Sequence, residues 1–230
     1  MQLTIVMPVL NEAAHIREAL APLQSLRARG HQVIVVDGGS ADGTLDESDG
    51  LVDLALTSSR GRATQLNAGL DRAAGEIVLF LHADTVLPAH ADQHIQATLA
   101  VAGRVWGRFD VSIAGRSVLL PIVAAMMNVR SRITGIATGD QAIFAMRSAL
   151  HSIGGVPVLA LMEDIELSKR LKRISPPACL HERVTTSGRR WDLQGPVRTI
   201  VFMWALRLAY YLGVSPEWLA RAYYGPRRPA

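Results

Sequence analysis

The sequence predicts an α/β fold: a mixed, mainly parallel sheet flanked by helices, with further helices at the carboxyl end. Residues 3–37 read as strand, helix, strand, a βαβ unit whose economical outcome is a parallel pair. Residues 77–81, Ile-Val-Leu-Phe-Leu, form an uninterrupted apolar run of the length of a strand buried on both faces. Each such run ends in residues that carry chemistry, Asp37 after one and His82-Ala83-Asp84 after the other. Open α/β sheets bind their ligands at those carboxyl ends.

The bulk composition suits such a core. The chain has 230 residues, 49% hydrophobic and 19% charged, with neither Gly nor Pro dominant, which describes a folded globular protein. Its single cysteine, Cys179, excludes an intrachain disulfide, fits a reducing compartment and reads as a small core residue. No basic stretch followed by an apolar run opens the chain, so no signal peptide is expected. The net charge of +4 is uneven: from Lys169 onward the balance is +9, mostly arginine, and −5 before it. A basic carboxyl-terminal face is therefore available to anionic partners. The excess lacks any recognition-helix, stacking or zinc motif, which argues against nucleic-acid binding.

Residues 3–7 are the first strand, stopped by Pro8. Asn11-Glu12 opens a helical pattern through Ile16, Leu20, Leu23 and Leu26, closed by Gly30. Residues 33–36 are the second strand, and its turn carries three glycines that permit close approach of a ligand to backbone. That turn is neither a phosphate loop nor a dinucleotide fingerprint, because the Gly-Lys ending and the Gly spacing are wrong. Residues 51–56 read as a third strand and 63–73 as a helix bearing Gln65 and Asn67.

After the central strand, residues 88–102 look helical. Residues 105–113 alternate apolar with polar or charged, as a half-exposed antiparallel or edge strand does. A short strand is expected at 142–146 and a helix from 162 to about 173, its acidic start and basic end agreeing with the helix dipole. Residues 185–191 read as a polar loop with two guanidiniums and an indole. The apolar stretch at 118–129 is too short to span a bilayer, which needs about 20 residues. The stretch at 197–214 is interrupted by Arg198 and Arg207, each costing roughly 2.5–3.5 kcal/mol at a membrane centre. Either segment can pack on the core or lie in a membrane interface.

Four groups of residues in one order resemble the family 2 glycosyltransferases of the GT-A type. They are Met7-Pro8-Val9-Leu10-Asn11-Glu12, Asp37-Gly38-Gly39-Ser40-Ala41-Asp42-Gly43-Thr44, the His82-Ala83-Asp84 strand end, and Glu163-Asp164 at the start of a late helix. Gly61 to Gly69 lies between the second and third, and Arg189-Arg190-Trp191 follows the last. Together with Gly139-Asp140-Gln141, the wording is similar to a compact bacterial subgroup.

The resemblance implies one Rossmann-like domain over residues 1–230. Residues 1–103 would be the nucleotide-sugar half, about 104–191 the acceptor and catalytic half, and about 192–230 a helical segment. It also implies inverting transfer of a sugar from a nucleotide diphosphate sugar, expected to be a UDP-sugar, to an acceptor hydroxyl. Pro8 and Glu12 would line the nucleoside pocket, with Asp37 on the base and Gly39 and Asp42 in the turn; Asp42 would contact ribose or shape the turn. Asp84 would hold Mg2+ or Mn2+ against the diphosphate. His82 stands where many relatives have a second carboxylate, so it would ligate the cation weakly or bind phosphate or ribose; Ala83 lies between them.

Asp164 would be the general base, with Glu163 beside it, unless the two acids serve only the helix start. Arg189 and Arg190 would stabilise the leaving diphosphate and Trp191 would stack on a sugar face, against the alternative of surface arginines and a packing indole. Arg62, Gln65 and Asn67 are further candidates, Asn67 equally as a backbone clamp. The acceptor is a saccharide, lipid or small molecule. A cytoplasmic protein able to touch the inner face of the membrane follows. The rivals are a non-catalytic partner in envelope assembly and a sugar nucleotidyltransferase, the latter disfavoured because the loop after the first strand has neither Gly nor Lys.

Overall fold

The computed structural model describes residues 1–225, apart from the side chains of Arg190 and Gln194. Three parallel strands come first: β1 (Leu3–Val9), β2 (Gln32–Asp37) and β3 (Leu54–Thr57). Two short helices, α1 (Ile16–Leu20) and α2 (Gln24–Ala28), join β1 to β2, broken where Pro22 forces a tighter turn. α3 (Thr44–Ser48) follows β2, and α4 (Arg62–Asp71) leads to β4 (Ile77–Phe80), which is parallel to β1.

β5 (Thr85–Val86), α5 (Ala91–Leu99), β6 (Trp106–Ala114) and α6 (Leu120–Thr134) come next. They are followed by β7 (Phe144–Met146), α7 (Arg147–Ser152), α8 (Glu163–Lys172) and β8 (Ala178–Ser187). α9 (Arg189–Gln194), α10 (Pro196–Tyr211) and α11 (Pro216–Tyr224) complete the described chain. The sheet order is β3-β2-β1-β4-β7-β6-β8-β5, with β7 antiparallel to both β4 and β6 and β8 parallel to β6. The α/β, mixed and mainly parallel sheet is the expected one.

Period-two alternation sorts the strand residues into two cores. Leu3, Ile5 and Met7 with Val33 and Val35 face α1, α2 and α5, while Val6, Ile34, Val36 and Val78 face α4, α7 and α8. A third cluster joins Met162 and Ile165 to Leu206 and Leu219, so α10 and α11 cover the start of α8.

Pro8 does not end β1, which stays paired to β2 as far as Val9 and Asp37. What Pro8 ends is the ladder to β4, whose last bond runs from the Leu81 N–H to the Val6 carbonyl. The next bond would need an N–H at Pro8, and proline has none.

Two other elements differ from expectation. β6 is neither an edge nor half-exposed; it is buried over most of its length between β7 and β8. Its charged residues are paired, the fully buried Arg108 with Asp110 and Asp110 with Arg132 of α6 at 2.8 Å. Residues 185–187 are strand, not loop, and Arg189 starts a short helix. Cys179 is half-buried on β8.

Candidate active site

β1 lies between β2 on one side and β4 on the other, so the chain reverses its direction of strand addition there. Beyond the carboxyl ends of those strands is the crevice where such sheets place ligands. Its β2 side is a laced pair of turns. Asp37 ends β2 with its carboxylate buried, accepting N–H groups of Gly39 at 3.0 Å and Ser40 at 2.8 Å, and the Ser40 hydroxyl. Gly39 has φ +90°, which favours glycine, and Asn11 has φ +54°, which asparagine tolerates.

Asn11 bridges the turns, donating its N–H to Ser40 Oγ at 2.7 Å and accepting the Ala41 N–H at 3.0 Å. Asp42 accepts the N–H of Ala13 at 3.0 Å and the N–H and hydroxyl of Thr44. The Thr44 hydroxyl and these N–H groups hold Asp42 below the usual carboxylate range. Asp42 thus shapes the turn. Glu12 is different: its N–H donates to Thr44 Oγ1 at 2.9 Å, while its carboxylate has no hydrogen bond or ion pair among the described residues. Pro8, near the end of β1, is partly exposed, so a base could rest on its ring.

Two candidates on α4 face the scaffold. Gln65 is buried, and its amide nitrogen donates to the carbonyls of Val9 and Val36, both at 2.8 Å. It ties the ends of β1 and β2 together beneath the turn. Asn67 exchanges two 2.8 Å hydrogen bonds with the backbone of Val156, the clamp that was its alternative reading.

On the β4 side, His82 and Asp84 do not project together from an extended strand. The Thr85 N–H closes on the His82 carbonyl at 3.1 Å, so residues 82–85 form a turn. His82 is turned inward, with Nδ1 3.5 Å from Asp140 Oδ1, and its ring packs against Gly139. Burial would raise Asp140, but the His82 pairing and then Arg62 and Arg207 outweigh it and hold that carboxyl low. Asp84 is exposed, its carboxylate hydrogen-bonded among the described residues only by the Thr85 hydroxyl, at 3.3 Å. Pairing of β5 with β8 brings it beside residue 187, whose N–H donates to the Asp84 carbonyl at 3.0 Å. Ala83 is the half-buried second residue of this turn.

α8 delivers the two late acids. It begins after Met162, which takes φ +70°, a left-handed conformation that is costly for a non-glycine and concentrated at functional sites. Glu163 is buried and paired to Arg62 at 3.0 Å. Burial pushes the Glu163 carboxyl up; Arg62 opposes that and Asp164 adds to it. Burial works against the Arg62 charge, yet Glu163 and the other nearby acids keep it firmly protonated. Asp164 is partly exposed, each oxygen taking one backbone N–H, from Gly139 at 3.0 Å and from Ile165 at 2.7 Å. The Gly139 bond ties Asp164 to the His82–Asp140 pair, leaving lone pairs that can receive a proton.

Asp140 was not among the residues singled out for a role. Its signal is the Gly139-Asp140-Gln141 group, an acid after a glycine before a short apolar strand. Trp191, expected over a sugar or as a packing indole, walls a pocket of about 210 Å3 between α6 and α10, which Asp140 also lines. Arg189 is exposed, and the Arg190 side chain lies outside the described residues. The two methionine-bearing helix faces around that pocket gave only the signal of long apolar stretches.

Among the described residues, no three His, Cys, Asp or Glu side chains are grouped to hold a metal ion by themselves. The donors present fit a hard cation shared with a ligand's own phosphate oxygens, with Asp84 as the open carboxylate. His82 fits less well, since Nδ1 is turned to Asp140 and Nε2 lies against Gly139. Nor is any described helix long and apolar enough to cross a membrane.

Comparison with known proteins bears on this crevice. The family described as "Glycosyl transferase family 2" matches residues 4–142. Poly-beta-1,6-N-acetyl-D-glucosamine synthase of Staphylococcus aureus is 24% identical over 186 residues, covering 74% of this chain and 45% of that protein. The chain thus spans about half the length of the curated relatives it matches. Among solved structures, the mannosyltransferase PcManGT from Pyrobaculum calidifontis in complex with GDP-Man and Mn2+ is similar at 25% identity and TM-score 0.64, over 99% of this chain and 66% of that one. TarS 1-349 of S. aureus in complex with UDP-GlcNAc is similar at 20% identity and TM-score 0.66, over 81% and 58%.

Proposed function

The chain belongs to glycosyl transferase family 2, and from that premise we propose that it moves a sugar from a nucleotide diphosphate sugar to an acceptor hydroxyl with inversion. The observation that carries this reading is the hydrogen bond from the Gly139 N–H to Asp164, which sets a reachable carboxylate beside the nucleotide-type crevice. Asp164 is the general base: it takes the acceptor's proton as the acceptor oxygen attacks the anomeric carbon. A single in-line displacement inverts that carbon. Glu163, buried and paired to Arg62, positions the start of α8 and does not itself take the proton.

Asp37, Pro8 and Glu12 hold the nucleoside, with the N–H groups of the 37–44 turn fixing Asp37 in place. Asp84 would hold Mn2+ or Mg2+, and such a cation would supply positive charge to offset that of the leaving diphosphate. A uridine diphosphate sugar is the expected donor. Because the similar structures hold both GDP-Man and UDP-GlcNAc, the test covers both bases.

The test is release of nucleoside diphosphate from uridine and guanosine diphosphate sugars, with Mn2+, Mg2+ or chelator. Turnover of one donor is expected, lost with chelator and lowered about 10²–10⁴-fold in Asp164→Asn with donor binding retained. Absence of both turnover and donor binding by calorimetry would overturn the reading in favour of a non-catalytic partner.

A further inference from the structure

Arg130 lies near the carboxyl end of α6, facing α10 across the pocket that Trp191 walls. Its Nη1 donates to the Ile136 carbonyl at 3.3 Å. Its Nε and Nη2 are buried with no hydrogen-bond partner among the described residues. The second guanidinium in the pocket, Arg207, makes no hydrogen bond or ion pair among those residues. Burial, and then the Arg207 charge, push Arg130 down to about 10. Buried donors are normally satisfied, and two like charges lining one pocket repel.

Two acids lie near, and neither neutralises the pair by contact. Asp140 lines the pocket but is turned to His82, and Asp164 spends an oxygen each on Gly139 and Ile165. Guanidinium groups with free donors lining one pocket make a site for an anion.

The rest of the pocket is apolar. Val123 and Met127 from α6 and Ile200 and Met203 from α10 form its walls, with few groups able to satisfy sugar hydroxyls. At about 210 Å3 it is smaller than the ~300–1,000 Å3 of sites for compact ligands, and suits a slim chain. Apolar stripes lead away from it: Ile122, Met126, Val129 and Ile133 on α6, and Val201, Trp204 and Leu208 on α10, all exposed at helical spacing.

We propose that this pocket binds an amphipathic acceptor, its hydrocarbon chain between α6 and α10 and its anionic group held by Arg130 and Arg207. That this amphiphile is the acceptor rests on the transferase reading above; that the pocket takes it does not. Asp140 lines the pocket and the Gly139–Asp164 bond adjoins it, so a hydroxyl or phosphate oxygen at the polar end would lie toward the proposed base.

The experiment is calorimetric titration of the full chain with n-dodecyl phosphate below its micellar concentration. Inorganic phosphate, dodecyl maltoside and UDP are the parallel probes. Dodecyl phosphate should bind at least tenfold more tightly than either half-probe. Arg130→Met should weaken it about 10–100-fold, as loss of charge-assisted hydrogen bonds does, and should raise the melting temperature of the ligand-free protein, since an unsatisfied buried charge is removed. Met203→Glu should abolish the hydrocarbon contribution while UDP affinity stays as in the wild type.

Equal binding of dodecyl maltoside would overturn the anion site. Failure of dodecyl phosphate to bind, or wild-type affinity in Arg130→Met, would overturn the pocket. Loss of UDP binding in Arg130→Met would assign the arginine pair to the donor diphosphate and also overturn it. Should UDP not bind at all while dodecyl phosphate does, the transferase reading falls and the pocket stands.

Discussion

Replacing Gly139 by alanine tests the centre of the site through one methyl group. The glycine's backbone is not left-handed, so alanine brings no torsional strain there. Its Cβ would instead fall 2.5 Å from Cε1 and Nε2 of His82, a separation that real side chains do not sustain. The ring cannot yield freely, because Nδ1 faces Asp140 at 3.5 Å and the side chain is only 17% exposed. Overpacking of this kind costs about 1–3 kcal/mol.

If the backbone yields instead, the 3.0 Å bond from the Gly139 N–H to Asp164 lengthens, and a misplacement near 1 Å costs on the order of 10²-fold in rate. Urea unfolding of four proteins, the wild type, Gly139→Ala, His82→Ala and the double variant, measures the clash directly. The alanine should cost about 1–3 kcal/mol in the wild type and less than about 0.5 kcal/mol once His82 is gone. An equal cost in both backgrounds would refute the steric account. Donor hydrolysis on the same proteins should fall in Gly139→Ala even at temperatures where it is fully folded.

Three more outcomes are expected. Gln65→Leu should lower stability by about 2–4 kcal/mol in urea titration, because the Val9 and Val36 carbonyls lose their donor. Asp92→Asn should cost about 2–3 kcal/mol, less than a fully buried pair because the Arg29 guanidinium is 40% exposed. Burial resists the Asp92 charge, but hydrogen bonds from Arg29 and His31 outweigh it and depress its pKa. The stability from that ionised carboxylate is therefore complete above the ordinary aspartate pKa of about 3.9 and lost as pH falls through the lower folded value. Acid titration of the melting temperature should show that slope in the wild type and a shallower one in Asp92→Asn.

What could be read in advance depended on how burial is written into residue types. β1, β2 and β4 are covered on both faces, so they appear as apolar runs, unbroken at 33–36 and 77–80 and interrupted in β1 by the buried Thr4. β6 misleads because Arg108 and Asp110 neutralise each other inside, and alternating charge otherwise marks a solvent face. β8 escapes notice because His181, Arg183 and Thr185 are exposed on a strand whose pairing, not its hydrophobicity, fixes it.

At the site, residue types were legible and their directions were not. Gln65 and Asn67 carry the groups a ligand would need, yet both spend them on distant backbone, a fact of tertiary position. The 82–85 turn contains neither Gly nor Pro, so nothing local announces that His82 and Asp84 part ways. Asp140 acquires meaning only because β7 brings the segment before it to the end of β4.

β7 is three residues long, and it is the only connection between the edge of β4 and the edge of β6 in the sheet order. Synthesis on the ribosome makes β4 some sixty residues before β7, its neighbour on the side away from β1, so one edge of a fully apolar strand has nothing alongside it until residue 146 has emerged. Naked edges of that kind recruit other chains. Translation of this protein therefore passes through an interval in which self-association competes with completion. Slowing the ribosome between residues 80 and 146 should lower the yield of correctly assembled chains even though no residue of the finished protein has changed.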